Sequence, residues 1–347
     1  MRYKLFGKHT GLRVSELVLG TGVFGTRWGY GAEPGEARRI FDAYADAGGN
    51  FIDTADGYQF GQSEEIVGDL LAGRRDDFIL ATKFTMGKDP KAGILVTGNS
   101  RRAMVSSVEA SLTRLKTDRI DLYWVHIPDA VTPMEEIVRG FDELARAGKI
   151  LYAGLSDFPA WRVARAVTIA ELRGTVPIAG LQVEYSLVER TTEQELIPAG
   201  QALGLGIVAW SPLGGGMLTG KYRQGEKGRA EGLGRVFQPE NSKQRSAILD
   251  KLIGVAKDLG VTPGEAAVAW VAAKGTLPII GPRTLAQLEE NLASINVRLS
   301  PEQLAGLDEV SAIPSVFPYS VVNEQGTRQR FTGGKLEQFD APVETVA

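Results

Sequence analysis

The sequence predicts a single (β/α)8 barrel, an α/β fold in which eight parallel strands alternate with helices. From residue 17 onward, short apolar runs rich in β-branched and aromatic residues alternate with longer segments of helical period. Eight such runs occur along 347 residues without a break in composition. This pattern favours one barrel, spanning residues 1–347 as a single domain, over a doubly wound sheet joined to a second domain.

The first predicted element is a β-hairpin that precedes the barrel. Apolar residues alternate between Arg2 and Val14, and the turn-forming run from Gly7 to Gly11 stands between the two arms. We therefore assign residues 1–16 to an N-terminal hairpin.

The barrel elements follow in order. The eight predicted strands are residues 17–20, 50–53, 78–83, 120–126, 150–156, 180–182, 207–210 and 278–281. Helical periodicity predicts helices that include residues 36–47, 100–115, 134–147, 161–172 and 192–203. Helix-start signals support this assignment, for example Thr132-Pro133 and Ser300-Pro301-Glu302.

Two segments are predicted to lack regular structure. Residues 219–245 are rich in glycine and charge, which predicts a long loop at the carboxyl-terminal face of the barrel. Residues 314–347 form an irregular tail, of which Phe317-Pro318-Tyr319 is the part that we expect to pack.

A GxGxxG pattern at Gly20–Gly25 resembles a dinucleotide-binding fingerprint, but that fingerprint requires a helix to open directly there. The chain instead continues as TRWGYGAEPG, which predicts a rim loop. No Tyr-x-x-x-Lys pair occurs in the sequence, so the usual catalytic pair of short-chain reductases is also missing.

Composition excludes several function classes. The formal net charge of −3 does not provide the excess positive charge that binding to nucleic acid or anionic lipid requires. The absence of cysteine removes disulfides and thiolate chemistry, and with two histidines, His9 and His126, a metal site is not expected. The N-terminus has no apolar signal region, and the long uncharged stretch at 196–220 is interrupted by prolines and glycines. We therefore expect a cytoplasmic protein with no nucleic-acid or membrane partner.

Polar side chains recur where the predicted strands end. They are Asp53, Lys83, His126, Ser156, Gln182 and Ser211. Because the carboxyl ends of barrel strands converge on one rim, where such barrels build active sites, these side chains are predicted to meet.

Together these groups could perform acid–base chemistry. Asp53 would keep a buried Lys83 protonated, and the ammonium would favour the ionised form of a nearby phenol such as Tyr58. Tyr58 would then be a usable general acid for a carbonyl oxygen, with His126 orienting that oxygen or relaying the proton. Each residue alone also fits a structural role, as a cap, a rim lysine, a core histidine or a pocket-edge tyrosine. Their common position at strand ends favours the catalytic interpretation.

The chain resembles the aldo-keto reductase family over residues 5–310. The matching motifs are LVLGTG (17–22), FIDTADGY (51–58), ILATKF (79–84), SVEASLTRLKTDRIDLYWVHIPD (107–129), GKILYAGLSDF (148–158), LQVEYSLVER (181–190), AWSPLGGGMLTGKY (209–222) and IIGPRTLAQLEENL (279–292). The resemblance implies a barrel closed at its bottom by the hairpin, and reversible reduction of an aldehyde or ketone. It implies a catalytic tetrad of Asp53, Tyr58, Lys83 and His126, in which Tyr58 is the general acid and a nicotinamide supplies hydride.

The resemblance also implies cofactor contacts. Ser156 and Gln182 would bind the carboxamide, Trp210 would lie near the nicotinamide ring, and Lys221 would meet the pyrophosphate. The full implied set is Thr21, Gly22, Asp53, Ser156, Asp157, Gln182, Trp210, Ser211, Pro212, Leu213, Gly214, Lys221, Gly281, Arg283, Gln287, Glu290 and Asn291. Arg283 suits a 2′-phosphate, since guanidinium offers charge and a forked donor set, so NADPH (NADP+ when oxidised) is expected over NADH.

Two positions depart from the family pattern. Asp157 stands where many relatives have asparagine, and a carboxylate cannot donate to the carboxamide oxygen. Ile127 stands where some relatives carry tryptophan, and the smaller isoleucine side chain would widen the pocket. The expected substrate pocket comprises Phe24, Trp28, Tyr30, Phe84 and Ile127 together with Tyr58 and His126. This aromatic lining suits a ring-bearing, sugar-like or terpenoid small molecule.

Two alternatives remain open from the sequence. The WSPL segment and the Gln-Leu-x-Glu-Asn segment are similar to potassium-channel β-subunits, so a cofactor-binding sensor or regulatory subunit is one alternative. A Schiff-base lyase using Lys83 with Asp53 and Glu184 is the other. The chain is expected to be a monomer or a homo-oligomer.

Overall fold

The chain folds into a closed barrel of eight parallel strands, as the sequence predicts. The computed structural model describes residues 1–224 and 238–340. The barrel strands are β3 (Val18–Gly20), β4 (Phe51–Asp53), β5 (Ile79–Phe84), β6 (Ile120–Val125), β7 (Ile150–Ser156), β8 (Ile178–Glu184), β9 (Gly206–Trp210) and β10 (Leu277–Ile280). They pair in chain order, and β10 closes the barrel by pairing with β3.

The strands are buried on both faces, which explains why they read as continuous apolar runs. Every residue of β5 and β6 is buried. Trp124 fills the barrel interior, and the space for its indole comes from two glycines. A Cβ atom at Gly154 would lie 2.3 Å from the indole, and one at Gly180 would lie 2.8 Å from it. The glycines are therefore a packing requirement of the barrel core.

The predicted hairpin closes the bottom of the barrel. Strands β1 (Tyr3–Leu5) and β2 (Arg13–Ser15) pair antiparallel. The buried ring of Phe6 packs edge-on against Phe51, with ring centroids 5.7 Å apart. The backbone N–H of Lys8 donates to the carbonyl of Gly204, just before β9, at 2.7 Å. The hairpin thus covers the amino-terminal strand ends and leaves the opposite face to the loops.

Helices surround the barrel and pack against its outer face. They are α1 (Pro34–Asp46), α2 (Gln62–Leu70), α3 (Arg101–Leu115), α4 (Met134–Arg146), α5 (Ala160–Arg173), α6 (Leu196–Ala202), α7 (Lys243–Leu259), α8 (Pro263–Ala273), α9 (Leu285–Ala293) and α10 (Pro301–Val310). The predicted Ser300 start is a capping box, since Ser300 and Gln303 satisfy each other's backbone N–H groups.

One predicted helix is shorter than expected. Residues 192–203 divide into a 3-10 turn at Thr191–Glu193 and the short helix α6. The break agrees with Pro198, which has no backbone N–H and is tolerated only in the first turn of a helix.

Two loop predictions need correction. The predicted loop at 219–245 contains a 3-10 turn at Lys221–Gln224 and ends at Ser242, whose hydroxyl caps α7, while residues 225–237 lie outside the described residues. The tail is not wholly irregular, because α11 (Tyr319–Val322) and α12 (Gln325–Phe331) form within it. The expectation that Phe317-Pro318-Tyr319 packs is wrong for Phe317, whose side chain is 81% exposed, whereas Tyr319 is half-buried and its hydroxyl donates to Glu195 at 3.3 Å. Residues 341–347 of the tail also lie outside the described residues.

No helix in the described residues is long and apolar enough to span a membrane.

Candidate active site

The polar side chains predicted at the strand ends meet at the carboxyl-terminal face. Asp53 ends β4, Lys83 lies near the end of β5, and His126 follows β6 directly. Ser156 ends β7, and Gln182 lies near the end of β8. The barrel geometry brings groups from five strands to one place, where they could act on a single ligand.

A buried ion pair holds the proposed acid. The Lys83 ammonium is fully buried and contacts a carboxylate oxygen of Asp53. Its nitrogen also donates to the Thr54 carbonyl at 2.9 Å and lies 3.2 Å from the Tyr58 hydroxyl. Burial lowers the pKa of Lys83, but the negative charge of Asp53 and the hydrogen bonds to Asp53 and Tyr58 outweigh it and raise the pKa overall. Lys83 is therefore a cation, with Tyr58 within its reach.

The second oxygen of Asp53 is bound from across the barrel mouth. Gln182 Nε2 on β8 donates to Asp53 Oδ1 at 3.0 Å, and both side chains are buried. The carboxylate is thus fixed by Lys83 on one oxygen and by Gln182 on the other. Two bonds of this kind fix both the position and the orientation of the carboxylate.

His126 completes the cluster as a neutral ring. Its imidazole lies edge-on to Tyr58, with ring centroids 5.8 Å apart. Burial and the charge of Lys83 lower the pKa of His126 to about 3. Its buried Nδ1 has no hydrogen-bond partner among the described residues. The ring as a whole is half-buried at the carboxyl-terminal face, so this neutral imidazole can hydrogen-bond a substrate oxygen there, but it does not carry the proton that the oxygen receives.

The segment after β4 places Tyr58 by extending the sheet pairing. The backbone N–H of Thr54 donates to the Ala81 carbonyl at 2.9 Å, and that of Asp56 donates to the Lys83 carbonyl at 3.0 Å. The chain then turns sharply, because Gln59 and Phe60 adopt left-handed φ angles of 51° and 54°. Such angles are uncommon away from glycine and cluster at functional sites.

Asp157 occupies the position where many relatives have asparagine. It follows β7 with a left-handed φ of 55°. Its Oδ1 accepts a hydrogen bond from the Trp210 indole at 3.1 Å, and its Oδ2 lies 3.3 Å from the Ser156 hydroxyl. Burial raises the pKa of Asp157 to about 6, although the two hydrogen bonds oppose that shift. The carboxyl is therefore mostly ionised at pH 7 and becomes a donor in mildly acidic solution.

A cavity of about 580 Å³ connects the tetrad to the loops after β9 and β10. Its volume lies within the range of cofactor-sized sites. From the predicted set it is lined by Gly22, Trp28, Tyr30, Asp53, Tyr58, His126, Ser156, Asp157, Gln182, Trp210, Ser211, Pro212, Leu213, Lys221, Gly281, Arg283, Gln287, Glu290 and Asn291.

The far part of this cavity has the chemistry that a dinucleotide phosphate requires. Gly215 and Gly216 adopt left-handed φ angles of 64° and 94°. The Lys221 ammonium stands beside this run, since a Cβ atom at Gly216 would lie 3.3 Å from its nitrogen, and the left-handed backbone there favours glycine. Arg283 contributes a second cation, and its Nε is buried without a hydrogen-bond partner in the described part of the chain. These residues fit the phosphate groups of a dinucleotide in charge and in space.

Several predicted residues lie outside the cavity. Phe24 and Phe84 are fully buried in the layer between barrel and helices, where Phe84 stacks on Tyr123 at 5.2 Å. The Thr21 hydroxyl bonds Ser63, and Gly214 is buried against Val188. Lys83 lies behind Tyr58, and Ile127 is exposed on the rim outside the cavity wall. The substrate-pocket assignments of Phe24 and Phe84 are accordingly replaced by core packing.

Other residues line the cavity without having been predicted. They are Gly20, Val23, Gly215, Gly216, Thr219, Ile279, Ile280 and Pro282. The glycine run after Trp210 carried a signal for Gly215 and Gly216, since a ligand phosphate favours close backbone approach. No sequence pattern singled out the apolar members.

The described residues contain no group of three or more metal-ligating side chains that could hold an ion. The Schiff-base alternative is disfavoured, because the raised pKa of Lys83 keeps its amine protonated and unable to attack a carbonyl.

Comparison with known proteins adds independent information. The model of the Aldo/keto reductase family matches residues 16–312. The chain is 34% identical over 337 residues to norsolorinic acid reductase of Aspergillus flavus, and the aligned region covers 94% of this chain and 85% of that protein. It is 38% identical over 321 residues to an uncharacterized oxidoreductase, YrpG, of Bacillus subtilis, with coverages of 89% and 96%. It is 33% identical over 341 residues to an aryl-alcohol dehydrogenase [NADP(+)] of Phanerodontia chrysosporium, with coverages of 92% and 88%.

Proposed function

The chain belongs to the aldo/keto reductase family of oxidoreductases, and from that premise we propose that it is an NADPH-dependent reductase of aromatic aldehydes or ketones. The observation that carries the proposal is the contact between the Tyr58 hydroxyl and the Lys83 ammonium, 3.2 Å apart at one end of the cavity. This contact supplies a proton donor whose conjugate base is stabilised where it forms.

Tyr58 is the general acid in this proposal. It donates its proton to the substrate oxygen, and the phenolate that forms is stabilised by Lys83, which Asp53 keeps charged. Neutral His126 hydrogen-bonds the same substrate oxygen and fixes its distance from Tyr58. Bound NADPH supplies the hydride that reaches the carbonyl carbon. In the direction of alcohol oxidation, Tyr58 acts as the base.

Two cations support NADPH as the cofactor. Lys221 stands beside the glycine run, where it would meet the pyrophosphate, and Arg283 would meet the 2′-phosphate. The nicotinamide would lie near Trp210, with its carboxamide toward Ser156 and Gln182. The name of the Phanerodontia relative includes NADP(+), which agrees with this assignment.

The aromatic edge of the cavity supports the substrate class. Trp28 lies edge-on to Tyr58, with ring centroids 6.2 Å apart, and both line the cavity. Edge and face contacts of this kind favour a planar ring bound beside the acid. The relatives named for norsolorinic acid and for aryl alcohols agree with a ring-bearing substrate.

The test is Tyr58→Phe, assayed by NADPH consumption with a panel of aromatic aldehydes and ketones. Removing the acid should lower kcat by about 10²- to 10⁴-fold, the range that a positioned acid contributes. The affinity for NADPH, measured by calorimetry, should change by less than about twofold, because the hydroxyl contributes to catalysis rather than to cofactor binding.

Tyr3→Phe is the matched control, because Tyr3 lies on the hairpin at the opposite end of the barrel and is 57% exposed. It should retain wild-type turnover. Turnover in Tyr58→Phe within a factor of about three of the wild type would reject Tyr58 as the acid.

A further inference from the structure

The loop after β3 is a closed and rigid element of the cavity rim. We call residues 22–32 the rim loop. The Ala32 N–H donates to the Val23 carbonyl at 2.6 Å, and the Gly25 N–H donates to the Ala32 carbonyl at 2.8 Å, which ties the two ends together. At Gly31 a Cβ atom would lie 1.9 Å from the Gly25 carbonyl oxygen. Only glycine permits this closure.

Two glutamines bind the rim loop. They belong to residues 54–62, which we call the Tyr58 segment. The buried Gln59 accepts from the Trp28 N–H at 2.8 Å and donates to the Tyr30 carbonyl at 2.9 Å. Gln62 accepts from the N–H groups of Thr26 and Arg27 at 2.9 and 3.1 Å. These bonds fix the backbone of Tyr30 relative to the proposed catalytic acid.

The ring of Tyr30 lies under the guanidinium of Arg283, which comes from the other end of the chain. The Arg283 Cζ is 4.5 Å from the ring centroid. Among the described residues no carboxylate pairs with Arg283, and its buried Nε has no partner. The backbone of Arg283 is held separately, since its N–H donates to Gln287 Oε1 at 2.9 Å.

A guanidinium that stacks on a ring uses its face and leaves its edge free. The N–H groups lie along that edge, and they are the groups that bind phosphate through paired hydrogen bonds. Stacking also restricts the long Arg side chain before a ligand arrives, so less conformational entropy is lost on binding. The contact with Tyr30 therefore suits Arg283 to a phosphate ester.

We propose that Tyr30 is a specificity-determining residue for the cofactor: its ring holds the Arg283 guanidinium in place for the 2′-phosphate, and so sets the preference for NADPH over NADH. Tyr30 was expected in the substrate pocket, and the geometry assigns it to the cofactor instead. This inference rests on the proposed function, because it presumes that a nicotinamide dinucleotide occupies the cavity.

The experiment compares Tyr30→Leu with Tyr30→Phe. Calorimetry gives the Kd values of NADP+, NAD+ and adenosine 2′,5′-bisphosphate for each variant, with no turnover required. Tyr30→Leu should lose about tenfold of the NADP+ over NAD+ preference, the size that a partly desolvated cation–π contact supports. Tyr30→Leu should also weaken the binding of adenosine 2′,5′-bisphosphate by a similar factor. Tyr30→Phe keeps the ring and should keep the preference.

A double-mutant cycle shows whether Tyr30 acts through Arg283. Arg283→Ala alone should remove most of the preference, and adding Tyr30→Leu to it should change the preference by less than about twofold. Additive losses would overturn the proposal, as would an unchanged or increased preference in Tyr30→Leu.

The wild type separates this inference from the proposed function. If the wild type prefers NADP+ and Tyr30→Leu keeps that preference, the role of Tyr30 is wrong and the reductase stands. If the wild type binds neither dinucleotide, both proposals are rejected. Thermal unfolding of each variant without ligand shows whether a lost preference comes from a damaged fold.

Discussion

Asp157 illustrates how one substituted residue changes the chemistry available to the ligand. One N–H of Gln182 Nε2 donates to Asp53, which leaves the Oε1 acceptor and the second N–H for a ligand. The ionised carboxylate of Asp157 is likewise an acceptor. This part of the cavity therefore offers acceptors to a carboxamide NH2 group at pH 7, and Asp157 gains a donor only as the pH falls through about 6.

Asp157→Asn is predicted to stabilise the protein in a pH-dependent way. The carboxyl ionises near pH 3.8 when unfolded but near pH 6 when folded, so its charge destabilises the fold as pH rises between these values. The variant should gain up to about 3 kcal/mol over the wild type above pH 6, at roughly 1.36 kcal/mol per pKa unit. The gain should vanish below pH 4, because the wild-type carboxyl is then protonated in both states.

Urea unfolding at pH 4, 5, 6 and 8 measures this difference. Asparagine keeps an acceptor for the Trp210 indole, so the comparison isolates the buried charge. A difference in stability that is the same at all four pH values would show that the carboxyl does not titrate as described.

At the scale of elements, the hairpin and the barrel loops do separate work. The hairpin covers the barrel bottom, far from the cavity, and its main apolar contact is Phe6. The rim loop and the Tyr58 segment contact each other at the opposite face. Stability and chemistry are thus assigned to opposite ends of one barrel, as is usual for this architecture.

Phe6→Ala is therefore predicted to lower stability without altering catalysis. Loss of a fully buried phenylalanine costs about 3 to 5 kcal/mol in unfolding free energy. The kcat and KM of the folded fraction should be unchanged, because Phe6 lies at the bottom of the barrel and does not line the cavity. Leu5→Ala is the control, since Leu5 is 61% exposed and should cost less than about 0.5 kcal/mol. A fall in kcat at temperatures where Phe6→Ala is fully folded would contradict this separation.

The order of strands and helices could be predicted from the sequence because buried parallel strands and amphipathic helices differ in the spacing of their apolar residues. The alternation of side chains along a strand could also have excluded Phe84 from the predicted pocket. It follows Lys83 directly, so the two side chains face opposite sides of the sheet, and Phe84 packs toward the helices.

Other features depend on contacts that no local pattern encodes. The short tail helices α11 and α12 contain no residue that is buried, so apolar periodicity gave no signal for them. The pairing of Tyr30 with Arg283 joins residues far apart in the chain. The left-handed turn at Gln59 and Phe60 uses residue types that seldom adopt it. In each case tertiary contacts decide the conformation.

For the whole molecule, the barrel is the device that brings the site together. The cavity wall draws on residues from Gly20 to Asn291, nearly the full length of the barrel. We propose that the tetrad supplies a proton at one part of this cavity, while two cations and a glycine run suit the other part to a dinucleotide. We propose that both parts act on one reaction, in which hydride and proton reach the same carbonyl group.

The most direct test follows the hydride itself. The wild-type protein is incubated with an aromatic aldehyde and NADPH that carries two deuterium atoms at the nicotinamide C4, and the alcohol formed is examined by mass spectrometry and NMR. We expect one deuterium on the carbinol carbon of every product molecule. Oxidation of NADPH that leaves the alcohol unlabelled, or that yields no alcohol, would contradict it.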